Sequence, residues 1–266
     1  MTLARGVKAS GMVDIHCHIL PGIDDGPPDM VASAAMARAA AAAGITTVAA
    51  TPHLRADFPK VRVDEIGGRA AELQAALDAE DITLTIVSAA EVSLSWALRA
   101  DDQALRLASY GQHGTDILIE AGPTGNEMLP SLLYEVASRG YRVVLAHAER
   151  IAELGADPAL VDRLIEQQVI LQVNAESLLG SRNAKRGKFA RKLVQRQLAA
   201  IVASDGHRAV GSRAVGQLAE VVPLVARIGA GRQGFVLEQA PAAVLAGAAI
   251  PTLGHQQRRH AFRVWR

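Results

Sequence analysis

Seven short apolar runs rich in β-branched residues alternate with Ala- and Leu-rich stretches of helical length, and this alternation constrains the fold of the chain more than any other feature. The predicted strands are residues 13–15, 45–50, 83–87, 116–119, 142–145, 169–173 and 200–203. The predicted helices are residues 29–43, 64–79, 128–138, 158–167, 184–197, 213–228 and 239–247, with an irregular helix at 94–110. Strands that alternate with helices in this way predict βαβ units and a parallel sheet in an α/β fold.

Polar side chains close almost every predicted strand: His16 and His18, His53, Glu91, Glu120, His147, Asn174, and Asp205 with His207. In a barrel of parallel strands the carboxyl ends meet at one mouth, whereas an open sheet gathers only the strand ends near a switch point. Contributions from every strand therefore favour a barrel, incomplete or distorted. No linker rich in Pro, Gly or Ser divides the 266 residues, so a single domain is predicted.

Paired polar residues at the first and last strands suggest metal binding. Side chains at i and i+2 of a strand share a face, so His16 and His18 can bind one ion while Cys17 points away. A surface or core histidine pair explains an isolated His-x-His motif about equally well. Asp205 and His207 repeat the spacing, and a helix-capping Ser-Asp-Gly turn would not explain the histidine. Five of the eight histidines close predicted strands, which favours the metal interpretation.

Two glutamates follow apolar strands. Burying an unpaired carboxylate such as Glu91 or Glu120 costs roughly several kcal/mol even after relaxation, so each needs a partner. A metal ion is one such partner. The structural alternative is a salt bridge with Arg99 or Arg142, which we consider the weaker explanation for both.

Composition and missing motifs exclude other classes. A net charge of +1 with 3% aromatic residues gives little support to nucleic-acid binding. The single cysteine fits a reducing, cytoplasmic setting, and residues 30–50 are predicted to form a helix and a strand rather than a membrane-inserted span. Ile23 stands where a cysteine-based phosphatase loop starting at Cys17 would need arginine. Neither Walker, dinucleotide-binding nor Gly-x-Ser-x-Gly motifs occur.

Two basic segments remain, and both are interpreted as solvated faces. The first lies on the helix before the last strand and could also help to dock an acidic or phosphorylated protein. Its residues are Arg182, Lys185, Arg186, Lys188, Arg191, Lys192 and Arg196. The second is a basic tail containing Arg258, Arg259, Arg263 and Arg266.

The motifs occur in an order that carries a family resemblance: DIHCHILPGIDDG at 14–26, ATPH at 50–53, AE at 90–91, LIE at 118–120, AHAER at 146–150, VNA at 173–175 and SDGH at 204–207. With these motifs the chain resembles bacterial protein-tyrosine phosphatases of the capsule and exopolysaccharide (CpsB/YwqE) type, in the polymerase-and-histidinol-phosphatase (PHP) superfamily. The resemblance implies a distorted (β/α)7 TIM-like barrel. It also implies three divalent metal ions, commonly manganese, that serve to hydrolyse phosphotyrosine on bacterial tyrosine kinases.

Carried over residue by residue, the resemblance implies the metal ligands His16, His18, Asp25, His53, Glu91, Glu120, His147, Asp205 and His207. Asp24 would support them. Arg150 would bind phosphate, and Arg213 is our candidate for a second phosphate-binding arginine, with Arg208 as its competitor. His207 is also a candidate catalytic residue. Iron, cobalt, zinc and magnesium are alternatives to manganese.

The resemblance also suggests boundaries and departures from the family pattern. Residues 1–11 would be an N-terminal extension, with Met12 as a possible native initiator, residues 12–250 the phosphatase barrel and residues 251–266 the basic tail. Ala121 follows Glu120 where the family often has an aromatic residue, which bears on the substrate pocket and not on the metal site.

The expected reaction is a single displacement by metal-activated hydroxide, without a phosphocysteine intermediate. Three other functions share part of the sequence signal. A small-molecule phosphatase, for example for histidinol phosphate, would use the same metal site. A metal-dependent nuclease and a metal-binding module without activity are the others.

Overall fold

In a computed structural model of the chain, the described residues are 11–122, 128–181 and 184–251. They contain nine strands: β1 (Met12–Cys17), β2 (Ile45–Ala50), β3 (His53–Leu54), β4 (Thr85–Ser88), β5 (Glu91–Ser93), β6 (Asp116–Glu120), β7 (Arg142–Leu145), β8 (Ile170–Asn174) and β9 (Ala199–Ala203). All pair in parallel, in a sheet of order β1-β2-β4 and a sheet of order β3-β5-β6-β7-β8-β9. The predicted parallel α/β fold is therefore confirmed.

All seven predicted strands are present, as β1, β2, β4, β6, β7, β8 and β9, but the short strands β3 and β5 were not predicted. Strand β2 is followed by Thr51 and Pro52 and then by β3, and β4 is followed by two alanines and then by β5. Pro52 has no N–H to donate to a sheet, but its carbonyl accepts from the Glu91 N–H at 3.1 Å. The short strands β3 and β5 begin at candidate site residues, His53 and Glu91 respectively.

The first strand also contacts the segment that follows the last one. The backbone N–H of His18 donates to the Gly206 carbonyl at 2.8 Å, and that of Asp205 donates to the His16 carbonyl at 2.8 Å. Cys17 and Gly206 form a parallel bridge. These bonds bring the His-x-His and Asp-x-His motifs together.

Helices pack outside the strands. Their bounds are α1 (Met30–Ala42), α2 (Ile66–Ala79), α3 (Leu94–Arg99), α4 (Asp102–Ala108), α5 (Leu129–Ala137), α6 (Ala152–Ala156), α7 (Pro158–Glu166), α8 (Ala175–Leu179), α9 (Lys185–Gln195), α10 (Gln217–Glu220), α11 (Val222–Ile228) and α12 (Ala240–Leu245). Single turns of 3-10 helix form at Tyr110–Gln112 and Ala148–Arg150, and a π-helical turn forms at Phe235–Gln239. The buried face of α1 is mostly alanine, which lets its backbone approach the core closely.

Three helix starts follow ordinary capping chemistry. The side chain of Asp29 accepts from the Ala32 N–H at 2.8 Å, and Asp101 accepts from the Ala104 N–H at 2.7 Å. Asp157 caps α7 in the same way, ahead of a proline at the first helical position. These caps explain where the helices begin.

The basic segments fall partly outside the described residues. Arg182, the arginines of the predicted tail and residues 1–10 are not among them. In α9, Lys185, Arg186 and Lys188 are exposed, whereas Arg191 donates to the carbonyls of Leu178 and Gly180. Within the described part of the chain, no helix is long and apolar enough to cross a membrane.

Candidate metal centre

The carboxyl ends of the strands bring all the predicted ligands together at one place. Four overlapping groups of side chains each place one potential ligand atom per residue within 4.8 Å of one another. The groups are His18, Asp25, His53 and His207; His16, His18 and Glu91; His16, His147 and Asp205; and His53, Glu91 and Glu120. Every one of the nine residues predicted as ligands belongs to at least one group. Their role as ligands stays a prediction.

Glu91 is at the centre of this arrangement. Its Oε2 atom lies 3.4 Å from His16 Nε2, 3.3 Å from His18 Nε2 and 2.8 Å from His53 Nδ1, and its Oε1 atom lies 2.8 Å from His147 Nε2. The side chains of Glu91, His16 and His18 are fully buried. A single buried carboxylate therefore faces four imidazoles from three different chain segments.

Two of these buried atoms lack a hydrogen-bond partner within the described ranges, which bears on whether the residues fit a metal ion. Although Glu91 Oε2 and His53 Nδ1 are only 2.8 Å apart, both are buried without a hydrogen bond of acceptable geometry among the described residues. A buried polar atom without a partner is costly. Imidazole nitrogens and carboxylate oxygens that converge in this way suit divalent metal ions. The donor set therefore fits metal binding.

The two aspartates of the Asp-Asp-Gly motif, Asp24 and Asp25, make different contacts. Asp24 Oδ2 lies 2.8 Å from His18 Nδ1 and accepts from the His53 backbone N–H, so it orients two predicted ligands, as expected for a supporting residue. Asp25 lies 3.1 Å from His207 Nε2 and is 40% exposed. At Gly26 a Cβ atom would come within 2.2 Å of the His18 carbonyl oxygen, so the close approach requires glycine.

The surroundings of two buried carboxylates, Glu91 and Asp205, favour their charged form. Burial acts to raise the pKa of Glu91, but His16 and His147 outweigh burial and hold that pKa well below its ordinary value. Burial likewise acts to raise the pKa of Asp205, and His16 and His18 bring it well below its ordinary value. Both carboxylates are therefore ionised in a buried setting. Such groups need cationic partners.

Two arginines reach the same carboxylates from the exposed side. Arg150 contacts Asp205 Oδ2 at 2.8 Å. Arg213 lies 3.1 Å from Asp25 Oδ2 and 3.3 Å from Asp205 Oδ1, and its Nη2 atom is 2.5 Å from His207 Nε2. The competing candidate, Arg208, has an exposed side chain. The geometry therefore supports Arg213 over Arg208.

The backbone is strained at three site residues. His147, Asp205 and Arg213 have φ angles of 32°, 51° and 55°, in the left-handed region that residues other than glycine seldom adopt. Strain of this kind persists where surrounding contacts hold it, often at functional sites. At His147 one such contact is its backbone N–H, which donates to Gln172 Oε1 at 2.7 Å.

Asn174, named in the sequence analysis as closing a strand, belongs to a buried amide network whose other member, Gln172, was missed. Gln172 Oε1 also lies 3.2 Å from His16 Nδ1, and its Nε2 atom donates to Asn174 Oδ1 at 2.8 Å. Asn174 in turn donates to Asp205 Oδ2 at 2.7 Å. The two amides on β8 thus link three predicted ligands. Their signal was the i and i+2 spacing of two polar residues within an apolar strand.

Arg55 and Phe58, on the segment after β3, were also missed. Arg55 Nη1 donates to Glu120 Oε2 at 2.7 Å, so Glu120 does have an arginine partner, but a different one from the two considered. Arg142 instead pairs with Asp116. The Phe58 ring stacks on His53, with ring centroids 4.9 Å apart and planes at 16°. The only feature of the sequence that pointed to Arg55 and Phe58 was their nearness to His53.

Cys17 lies outside the cluster of ligand atoms. Its thiol is fully buried and donates to the Gly206 carbonyl, with Sγ and O 3.4 Å apart. Burial raises the pKa of this thiol well above its ordinary value, and the nearby Asp14 carboxylate raises it further. A thiolate nucleophile is therefore disfavoured at this position.

A parallel α/β fold whose strand ends present imidazole and carboxylate side chains defines a class: α/β proteins with a candidate multinuclear metal centre. Residues 12–245 match the family described as capsular polysaccharide synthesis, CpsB/CapC. The chain belongs to this family.

Two relatives are similar along most of the chain. The tyrosine-protein phosphatase YwqE of Bacillus subtilis (strain 168) is 34% identical over 198 residues, covering 74% of this chain and 77% of the relative. The tyrosine-protein phosphatase CpsB of Streptococcus pneumoniae is 26% identical over 213 residues, covering 74% and 83%.

Solved structures agree with this relationship. A chain from the crystal structures of YwqE from Bacillus subtilis and CpsB from Streptococcus pneumoniae, unique metal-dependent tyrosine phosphatases, superposes with a TM-score of 0.78 at 30% identity. The match covers 90% of this chain and 96% of that chain. The organophosphorus hydrolase from Deinococcus radiodurans shares the fold alone, with a TM-score of 0.55 at 16% identity over 89% of this chain and 92% of that chain.

Proposed function

We propose that this protein is a metal-dependent protein-tyrosine phosphatase that hydrolyses phosphotyrosine on a protein substrate. The observation that carries the proposal is the convergence of nine imidazole and carboxylate residues at the strand ends. Membership of the CpsB/CapC family, and the activities for which YwqE and CpsB are named, support it. The substrate included in the proposal is a bacterial tyrosine kinase that acts in exopolysaccharide or capsule regulation.

The proposed cofactor is a set of three divalent metal ions held by the nine predicted ligands. When bound, such ions lower the pKa of a water molecule and neutralise phosphoryl oxygens. Manganese is the first candidate because the family resemblance implies it, and iron, cobalt, zinc or magnesium are the alternatives, since imidazole and carboxylate donors together suit several divalent ions. The overlap of the ligand groups, in which Glu91, His16, His18 and His53 each belong to two, supports neighbouring ions.

The arginines bind the phosphoryl group in this proposal. Arg150 and Arg213 both place guanidinium groups at the exposed edge of the centre, and guanidinium pairs with phosphate through two parallel hydrogen bonds. A phenolate leaving group requires little protonation. With poorer leaving groups, His207 at the same edge is the residue we assign to proton transfer. Cys17 takes no part, because its thiol is buried and engaged with a carbonyl.

The proposal includes a closed, distorted (β/α)7 barrel spanning residues 12–250. The hydrogen bonds between the end of β1 and the segment after β9 support closure. A cytoplasmic location, suggested by the single cysteine, is also part of the proposal.

The test is turnover by protein reconstituted with Mn²⁺, on a phosphotyrosine peptide and on a panel of small phosphomonoesters that includes histidinol phosphate. We expect hydrolysis of the peptide, with loss after chelation and recovery on adding metal. Preference for one small ester over the peptide would instead identify a small-molecule phosphatase. Metal binding without any turnover would identify a binding module.

Three variants give the test its controls. His53→Ala should lose most activity because His53 belongs to two of the ligand groups. His113→Ala is the matched control, since His113 is exposed and outside those groups. Cys17→Ser should keep activity. Loss of activity in Cys17→Ser with its metal content intact would contradict the proposed reaction.

A further inference from the structure

A cleft with a volume of about 230 Å³ opens beside the candidate metal centre. Its lining residues are Gly22, Ile23, Asp24, Asp57, Phe58, Pro59 and Lys60. One wall is shared with the centre, because Asp24 binds His18 Nδ1 and the His53 backbone N–H. The cleft is therefore continuous with the groups that hold His18 and His53 in place.

The cleft also has an aromatic lining residue, Phe58. Phe58 is partly exposed, and its ring stacks on the imidazole of His53. The guanidinium carbon of Arg55 lies 5.1 Å from the centre of the Phe58 ring, within the range of a cation–π contact. Arg55 is itself held by Asp57 at 2.9 Å and Glu120 at 2.7 Å. These contacts hold the Phe58 ring in place beside the centre.

We propose that this cleft is the subsite for the phenyl ring of the substrate phosphotyrosine, with Phe58 as the residue that recognises it. The inference rests on the proposed function and adds to it the origin of a preference for aryl over alkyl phosphate esters. A phosphoryl group at the metal centre places the ester's leaving group at the rim, where Ile23, Phe58 and Pro59 offer apolar contact.

Size and chemistry both suit a phenyl ring. A cavity of about 150 Å³ lined by apolar side chains can hold benzene, so about 230 Å³ accommodates a phenol ring with room for the adjoining chain. Aromatic rings favour edge-to-face or offset contacts with one another. Phe58 offers its edge for such a contact, because His53 stacks on the ring and the Arg55 guanidinium also lies over it. The two polar residues at the mouth, Asp57 and Lys60, are exposed.

The experiment compares phenyl phosphate with glycerol 2-phosphate in Mn²⁺-reconstituted full-length protein. For Phe58→Ala, we expect kcat/KM on phenyl phosphate to fall by about five- to tenfold, the size of a lost aromatic pair with its buried area. On glycerol 2-phosphate, which has no ring, the change should stay within about twofold. A parallel fall on both esters would overturn the inference, because it would mean that Phe58 only supports His53.

Two further variants separate ring recognition from folding. Phe58→Leu keeps an apolar side chain of similar bulk, so it should fold normally yet lose most of the aryl preference. Tyr134→Leu removes an exposed aromatic ring from α5, away from the cleft, and should leave the ratio of the two rates unchanged. An unchanged ratio in Phe58→Leu would also overturn the inference.

A binding measurement makes the result independent of turnover. Calorimetry should show phenylphosphonate binding more tightly than methylphosphonate to the Mn²⁺-reconstituted protein, and this difference should shrink in Phe58→Ala. Failure of the wild-type protein to hydrolyse a phosphotyrosine peptide would refute the proposed function, and the calorimetry would still decide on the cleft. Equal binding of the two phosphonates by the wild-type protein would overturn the assignment of the cleft as the phenyl subsite.

Discussion

Two arginines follow the last strand, and their surroundings separate their roles. Arg213 contacts Asp25, Asp205 and His207, whereas Arg208, which also follows the Asp-x-His motif, has an exposed side chain. The positive φ angle at Arg213 shows that the chain accepts backbone strain there. The proposed function assigns phosphate binding to the arginine that is held among these carboxylates, Arg213. Sequence spacing alone left the choice between the two arginines open.

Alanine should therefore lower activity strongly at Arg213 and leave it nearly unchanged at Arg208. For Arg213→Ala we expect kcat/KM on a phosphotyrosine peptide to fall by roughly 10- to 100-fold, the range for losing a charged hydrogen-bonding group in the transition state. Arg208→Ala should stay within about twofold of wild type. Steady-state kinetics, with metal content measured for each variant, checks this. Equal activities in the two variants would contradict the assignment.

At the scale of elements, the contact between β1 and β9 depends on a buried carboxylate. Asp14 on β1 accepts from the Ser204 backbone N–H at 3.0 Å and from the Ser204 hydroxyl. Burial raises the pKa of Asp14 to about 6, against the lowering effect of these bonds to Ser204. The side chain is thus costly to bury and depends on its donors. It joins the first strand to the segment that carries Asp205.

Removing one donor should weaken this junction. For Ser204→Ala we expect the free energy of unfolding to fall by about 1–3 kcal/mol, because a buried carboxylate oxygen loses its hydrogen bond. The matched control is Ser95→Ala, at an exposed position, where the change should be within about 0.5 kcal/mol. Urea denaturation measures both. A Ser204→Ala protein as stable as the control would show that the hydroxyl is dispensable.

Element types were predictable because apolar periodicity and turn residues act locally, and the strand ends indicated which imidazole and carboxylate residues converge at the candidate centre. The division of two strands was not predictable. Thr51 and Pro52 end the apolar run of β2, and the new strand after them becomes visible only through its pairing with β5 and the bond from the Glu91 N–H to the Pro52 carbonyl. Arg55 and Phe58 escaped prediction for a related reason. Their importance depends on tertiary contacts with Glu120 and His53, to which no local pattern corresponds.

At the scale of the whole molecule, the net charge of +1 conceals a strong local imbalance. Ionised carboxylates are concentrated at one end of the strands, where Glu91 and Asp205 are buried. Histidines around Glu91 and Asp205, together with Arg150 and Arg213 at Asp205, balance part of this negative charge, and divalent ions would add positive charge at the same oxygens. Metal ions that bind the folded centre, and not the unfolded chain, should therefore stabilise the entire protein.

This linkage predicts a metal-dependent melting temperature. At a free Mn²⁺ concentration about 100 times Kd, one site contributes about 2.7 kcal/mol, which corresponds to a rise in Tm of roughly 5–10 °C for a chain of this size. Differential scanning calorimetry of chelated and Mn²⁺-reconstituted protein measures the shift. His53→Ala should lose much of this shift in Tm and His113→Ala should retain it, because of these two histidines only His53 belongs to the ligand groups. Wild-type protein that melts at one temperature with and without metal would refute the assignment of the centre, whatever its activity.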